Sequence, residues 1–145
     1  MTESGDDAGA HVARMIGKDA FSRWLGVELV SLAPGACTLR MMVRRDMING
    51  FDVAHGGIVF SLADSAMAFA CNGGPEVTVA VDNSISYPAA VRVGDELVAR
   101  AVEERSTSRL AFYAVTVRRS ADDAIVALFR GTVYRTAQRH DATDP

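Results

Sequence analysis

From the N-terminus, the first periodic stretch of apolar positions runs over His11–Trp24, where Val12, Met15, Ile16, Ala20 and Phe21 recur at helical spacing. Gly26 follows as a break. Val27–Leu32 and Cys37–Val43 read as two strands, and Ala33-Pro34-Gly35-Ala36 between them suits a tight reversal, so a hairpin is expected. The pattern changes over His55–Asn72. There Ile58, Val59, Leu62, Ala63, Ala66 and Phe69 leave few polar directions, as in a helix buried on most sides. Beyond Gly73-Gly74-Pro75, the branched and aromatic runs Val77–Tyr87, Asp95–Glu103, Leu110–Arg118 and Ala124–Arg135 predict four strands. Turn-like segments around Gly94, Ser106–Ser108 and Ala121–Asp123 separate them. The order predicts an α+β protein in which a curved antiparallel sheet wraps around a long central helix.

A length of 145 residues with 49% hydrophobic side chains suits one domain with a real core. No repeat or low-complexity linker divides the chain. Residues 11–136 are expected to form the domain. Residues 1–10 and 137–145, short of core-forming side chains, are expected to be flexible tails.

The net charge of −3 comes from interspersed acids and bases, which argues against nucleic-acid or membrane-surface binding. No apolar stretch reaches the roughly 18 to 20 residues that span a bilayer, and the acidic start does not resemble a signal peptide. A cytoplasmic protein is expected. Cys37 and Cys71 sit in apolar segments without CxxC spacing, which suits reduced thiols and gives no metal site.

The chemistry gathers on the central helix. Asp64 lies in its middle, and a carboxylate there is costly unless it is paired, exposed in a cleft or functional. Ser61, Asp64, Ser65, Ala68 and Asn72 form a narrow polar or small stripe on an otherwise apolar helix, suited to a site or an interface. A structural arginine or a local hydroxyl would account for Asp64 equally well. At the helix start stands His55-Gly56-Gly57. The first backbone N–H groups of a helix lack internal partners and favour an oxyanion, and Asn49 just upstream can donate from its amide. A glycine pair alone is equally a plain helix start.

Eight residues separate Gly56 from Asp64, about 12 Å along a helix axis at 1.5 Å per residue. They cannot both touch one carbonyl. If both serve one reaction, the carboxylate must come from a second, antiparallel copy of the helix, as a two-fold dimer provides.

Asn49-Gly50, His55-Gly56-Gly57 and Phe60-Ser61-Leu62-Ala63-Asp64 together resemble the signature of PaaI-type phenylacetyl-CoA thioesterases. The resemblance runs from about His11 to Arg135 and includes Ala70-Cys71-Asn72 and Val126-Ala127-Leu128-Phe129-Arg130-Gly131. It implies a hotdog fold, and dimers that pair into tetramers with composite active sites. Coenzyme A then enters as part of the substrate, and no separate cofactor is implied. By the same resemblance, Asn49 and the Gly56 N–H engage the thioester carbonyl, while Asp64 of the adjacent subunit acts as general base or nucleophile. His55 can orient Asn49 or touch substrate, or serve only to cap the helix.

Gly57, Phe60, Ser61, Ser65, Met67, Asp82 and Asn83 are expected to contact substrate, with Phe60 and Met67 lining the acyl pocket. Many relatives place a serine or threonine two residues before an aspartate in the strand after the helix. Ala80 stands there in this chain, before Asp82, leaving Thr78, Asn83 or Ser84 as substitutes. Tyr87-Pro88-Ala89-Ala90 likewise lacks the Leu-Arg-Pro run common in relatives. For the coenzyme A phosphates, the turn containing Arg105, Thr107, Ser108 and Arg109 offers guanidiniums and hydroxyls, though a solvated polar turn has the same composition.

Two other readings compete with hydrolysis. A non-catalytic acyl-CoA-binding protein would bind without releasing thiol. An enoyl-thioester hydratase would draw on Asp52 and His55, whose spacing departs from the Asp-x4-His pattern of such enzymes.

Overall fold

The computed structural model of the chain describes residues 5–140. Two helices come first, α1 (Gly5–Lys18) and α2 (Ala20–Leu25), where the sequence predicts one helix over His11–Trp24. The break is at Asp19, whose backbone leaves the helical region and whose side chain caps α2 by accepting from the Ser22 N–H at 2.9 Å. The α1 helix also starts before the predicted His11, so residues 5–10 are helical rather than part of a tail. At the other end the last strand runs to Arg139, taking in residues 137–139 of the second expected tail. His140, the next tail position, donates from its backbone N–H to the Pro75 carbonyl at 2.9 Å, and positions 1–4 and 141–145 lie outside the described residues.

The hairpin forms as expected from β1 (Glu28–Ala33) and β2 (Ala36–Met42), with Ala33 paired to Ala36 across Pro34-Gly35. Gly35 adopts a φ of 69°, the left-handed region that this turn needs. A single 3-10 turn over Arg45–Met47 leads toward the central helix α3 (Gly56–Cys71). Four strands follow: β3 (Glu76–Ser86), β4 (Glu96–Ser106), β5 (Leu110–Arg119) and β6 (Ile125–Arg139). They join the hairpin in one antiparallel sheet of order β1-β2-β4-β5-β6-β3.

The sheet wraps α3 because its inward positions alternate apolar and small residues. Leu97, Ala99 and Ala101 of β4 and Ala111, Tyr113 and Val115 of β5 are all buried beneath the helix. Leu62, Ala63, Ala66, Met67 and Phe69 of α3 complete that core. This is the hotdog arrangement. It leaves β1 and β3 as sheet edges, and on β3 Val79 and Val81 remain 44% and 58% exposed.

A bulge in β3 decides what faces α3. Ala80 pairs with Val133 and Asp82 with Thr132, so Val81 is an extra residue on the β3 side. Thr78 is buried before the bulge; beyond it Asn83 and Ile85 are partly buried, while Asp82 and Ser84 are exposed.

Candidate active site

Three of the expected residues, His55, Gly56 and Gly57, form the N-terminus of α3, and Asn49 lies in the segment leading to it. His55 is the N-cap, its Nδ1 accepting from the Gly57 N–H at 2.9 Å. That N–H is therefore occupied, whereas the Gly56 N–H has no hydrogen-bond partner among the described residues. Asn49 turns the chain just before the helix, accepting from the Phe51 N–H through Oδ1 at 2.9 Å. This bond orients the amide and leaves its NH2 to donate elsewhere. The helix start thus presents an open backbone donor in the partly positive field of the helix end, and the segment before it carries the Asn49 amide.

Tyr87, just after β3, also touches this corner. Its hydroxyl donates to the Gly56 carbonyl at 2.8 Å, and a Cβ on Gly56 would sit 3.1 Å from the same oxygen. The sequence drew attention to Tyr87 only as part of a segment departing from the Leu-Arg-Pro pattern. Its contact spans 31 residues, and no local signal marks it.

Two hollows flank the helix start. One, of about 360 Å3, is walled by Gly56, Val59, Tyr87, Pro88 and Val126. The other, of about 420 Å3, lies between α2 and α3, walled by Phe21, Trp24, Met47, His55, Gly57 and Ile58. Both are mainly apolar, as small-molecule sites commonly are.

Asp64 lies two turns further along α3, half-buried. Its Oδ1 accepts from Asn83 Nδ2 at 3.2 Å. Burial pushes its carboxyl above the usual carboxylate range, the Asn83 hydrogen bond pulls it back, and the negative charge of Asp19 raises it again. Of the substitutes considered for Ala80, Asn83 is the one bonded to Asp64. Thr78 bonds instead to Asn72 and Glu76, and Ser84 is exposed.

Several expected substrate contacts prove structural within this protomer. Ser65 is buried and shares a 2.8 Å hydrogen bond with Ser22, whose hydroxyl also donates to Asp19 at 2.6 Å. This chain ties α2 to α3. Met67 is 0% exposed and packs beneath Gly131, so it belongs to the core rather than to a pocket wall. Phe60 is half-buried against Phe129, ring edge to face at 5.4 Å between centroids. The Ser61 hydroxyl donates back to the Gly57 carbonyl at 2.6 Å. Asp82 points outward as a consequence of the β3 bulge.

Arg105 is exposed near the end of β4, and Ser108 and Arg109 are exposed in the turn to β5, within which Thr107 Oγ1 accepts from the Leu110 N–H. Arg135 Nη1 braces the turn from β6 through the Thr107 carbonyl. Val126, which walls the hollow beside Gly56, precedes Arg135 by nine strand residues, about 30 Å at 3.3 Å per residue. This turn and Gly56 therefore lie at opposite ends of the same protomer.

A six-stranded antiparallel sheet around one long helix, with open donors at the helix head and a carboxylate in its middle, defines a class, and the chain belongs to the thioesterase superfamily. The model of that family matches residues 51–126. The chain is similar to the acyl-coenzyme A thioesterase PaaI of Escherichia coli, with 34% identity covering 83% of this chain and 86% of that one. It is also similar to an esterase of Archaeoglobus fulgidus described as putative, with 36% identity covering 83% of this chain and 78% of that one. The solved structure of the E. coli PaaI protein from the phenylacetic acid degradation operon superposes with a TM-score of 0.89 at 31% identity, covering 93% of this chain and 97% of that one.

Proposed function

We propose that this protein hydrolyses acyl-CoA thioesters to a free acid and coenzyme A. The observation that carries the reading is the division of labour along α3: open donors at Gly56 and Asn49 stand at one end, and a half-buried carboxylate lies about 12 Å away. Neither group completes a hydrolytic site in its own protomer. A second copy related by a two-fold axis, its α3 antiparallel to the first, brings its Asp64 to the first protomer's Gly56. The long exposed edge of β3, with Val79 and Val81 uncovered, favours pairing of the same strand from two copies. Pairs of such dimers would give the tetramer suggested by the family resemblance.

In that composite site, the Gly56 N–H and the Asn49 amide polarise the thioester carbonyl and hold the oxyanion that forms at the tetrahedral stage. Donors of this kind contribute about 100- to 1000-fold in rate each. The ionised Asp64 takes a proton from water as water adds to the carbonyl carbon, or adds to that carbon itself to give, once the thiolate has left, a mixed anhydride that water then hydrolyses to the free acid and the regenerated carboxylate. The carbon–sulfur bond then breaks, and coenzyme A leaves as the thiolate, which takes up a proton. The hollow walled by Val59, Tyr87 and Pro88 receives the acyl group beside Gly56. Phenylacetyl or hydroxyphenylacetyl is the proposed acyl group, supported by the naming of the E. coli relative's operon. Arg105 and Arg109, remote from Gly56 in one protomer, reach a composite site only from the partner subunit.

No helix among the described residues is long and apolar enough to cross a membrane. A cytoplasmic site of action is proposed with the substrate class.

The test is free-thiol release from phenylacetyl-CoA and from aromatic and aliphatic acyl-CoAs, comparing the native protein with Asp64→Asn. The expected result is release by the native protein that falls at least about 100-fold in the variant. Release unchanged by the substitution removes Asp64 from its role. Binding without release moves the chain to the non-catalytic reading.

A further inference from the structure

Asn83 is a polar amide turned inward under a helix whose surroundings are almost wholly apolar, and it lies there because of the extra residue at Val81. Unbroken alternation from Thr78 would turn Asp82 toward α3 and Asn83 away from it. The bulge exchanges them, placing a donor instead of a second carboxylate beneath Asp64.

The space around Asn83 is fitted to that orientation. Its partner across the β3–β6 ladder is Gly131, where a Cβ would come within 2.8 Å of Asn83 Oδ1 and closer still to Met67. The glycine leaves room for the amide. Asn83 Oδ1 is buried and accepts no hydrogen bond from the protein, an arrangement that ordinarily costs about 1 to 3 kcal/mol. The Nδ2 group alone is used, on Asp64. An amide kept for packing has no reason to retain an unpaired oxygen, whereas one kept as a donor to a carboxylate must keep both atoms.

We propose that Asn83 is the positioning residue for Asp64: it fixes one carboxylate oxygen, leaves the other to face the reaction, and favours the ionised carboxylate that the reaction needs. This rests on the proposed hydrolysis and changes the role expected for Asn83 from substrate contact to support of the base. Other charges near Asp64 do not serve this purpose. Asp19, ahead of α2, is negative and opposes ionisation. Cys71, further along α3, is a thiol that burial pushes up to about 12, so it stays neutral. The strands packed beneath α3 present buried apolar residues and Tyr113, whose hydroxyl burial pushes up in the same way. Asn83 is the neighbour that opposes the effect of burial on Asp64.

The test compares the native protein with Asn83→Leu, which removes the donor at similar volume, and Asn83→Asp, which keeps the shape and replaces the donor with a carboxylate. Thiol release is followed across pH. For Asn83→Leu, kcat on the plateau falls about tenfold, KM stays within about twofold, and the acid limb of the profile moves up by about one pH unit or more. For Asn83→Asp the limb moves further, because two carboxylates in contact cannot both ionise. A raised KM with unchanged kcat overturns the proposal in favour of substrate binding. Acid limbs coinciding with the native one overturn it in favour of packing.

Titration of the Asp64 carboxyl carbon by NMR, assigned with Asp64→Asn, gives the same comparison without turnover. It is expected to show the midpoint rising from native to Asn83→Leu to Asn83→Asp. Equal midpoints overturn the proposal even in a protein that releases no thiol, whereas a native protein that releases no thiol contradicts the hydrolytic reading alone.

Discussion

The Tyr87 hydroxyl donates to the Gly56 carbonyl at 2.8 Å, joining the end of β3 to the first turn of α3. The bond fixes the peptide next to the open Gly56 N–H, and with it the direction in which that N–H points. Tyr87→Phe keeps the ring and loses the bond. Its thiol-release rate is expected to fall by a few-fold, on the scale of about 1 kcal/mol for one hydrogen bond, with little change in Tm. Gly56→Ala brings a methyl group to 3.1 Å from the tyrosine oxygen and, in the proposed site, beside the donor that would hold the carbonyl. Its rate is expected to fall about 100-fold or more in the same assay.

Ser22 and Ser65 carry a different kind of prediction, because their hydroxyls lock α2 onto α3 without facing the proposed chemistry. Either single change to alanine leaves a buried hydroxyl short of a partner and is expected to cost about 1 to 3 kcal/mol. The double variant should lose less than the sum of the two. Thermal unfolding at one fixed protein concentration measures all three variants, and thiol release should survive in each.

Gly131 separates packing from catalysis in the opposite way. A methyl group there meets Met67 and Asn83 together, so Gly131→Ala is expected to destabilise the protein by about 1 to 3 kcal/mol. The same displacement disturbs Asn83, so activity should fall even at temperatures where the variant remains folded. Circular dichroism and thiol release on one sample check both effects.

The raised Asp64 carboxyl has a stability consequence with a definite sign. A folded-state value above the unfolded one means that the fold prefers the protonated acid. The stabilisation is complete below the ordinary carboxylate range and is lost as pH rises through the raised value. Asp64→Asn is permanently neutral. It should therefore melt higher than the native protein at neutral pH, with the difference closing as pH falls through the carboxylate range.

Burial pushes Cys37 and Cys71 up to about 12. At pH 8 neither is expected to react appreciably with a disulfide reagent until the protein is denatured, when both of the chain's cysteines should appear. Thiol released from acyl-CoA can then be read over a low background.

Much of this arrangement was legible because it is written in local patterns. The apolar run from Ile58 to Ala70 marked α3 as buried, and the alternating runs after Pro75 marked the last four strands. The eight positions between Gly56 and Asp64 on one helix made a second chain the condition for both to serve one reaction, which is the basis of the proposed composite site. What escaped depended on contacts between distant residues. Ser65 looked like part of a lining stripe because its partner Ser22 lies 43 residues away. Asp82 and Asn83 are adjacent in sequence, and only the bulge at Val81 decides which of them meets Asp64. The break at Asp19 did have a local sign, an aspartate able to cap three residues before Ser22, but the apolar period running through it concealed the stop.

A composite site is tested most directly by mixing two inactive variants, Asp64→Asn and Asn49→Ala, under conditions in which subunits exchange. Each hybrid dimer carries one site with both substitutions and one with neither. Random exchange at equal amounts should restore about a quarter of native thiol release, because half the dimers are hybrids with one working site of two. A mixture no more active than its components, with exchange verified by labelled subunits, would contradict a site that draws Asn49 from one chain and Asp64 from the other.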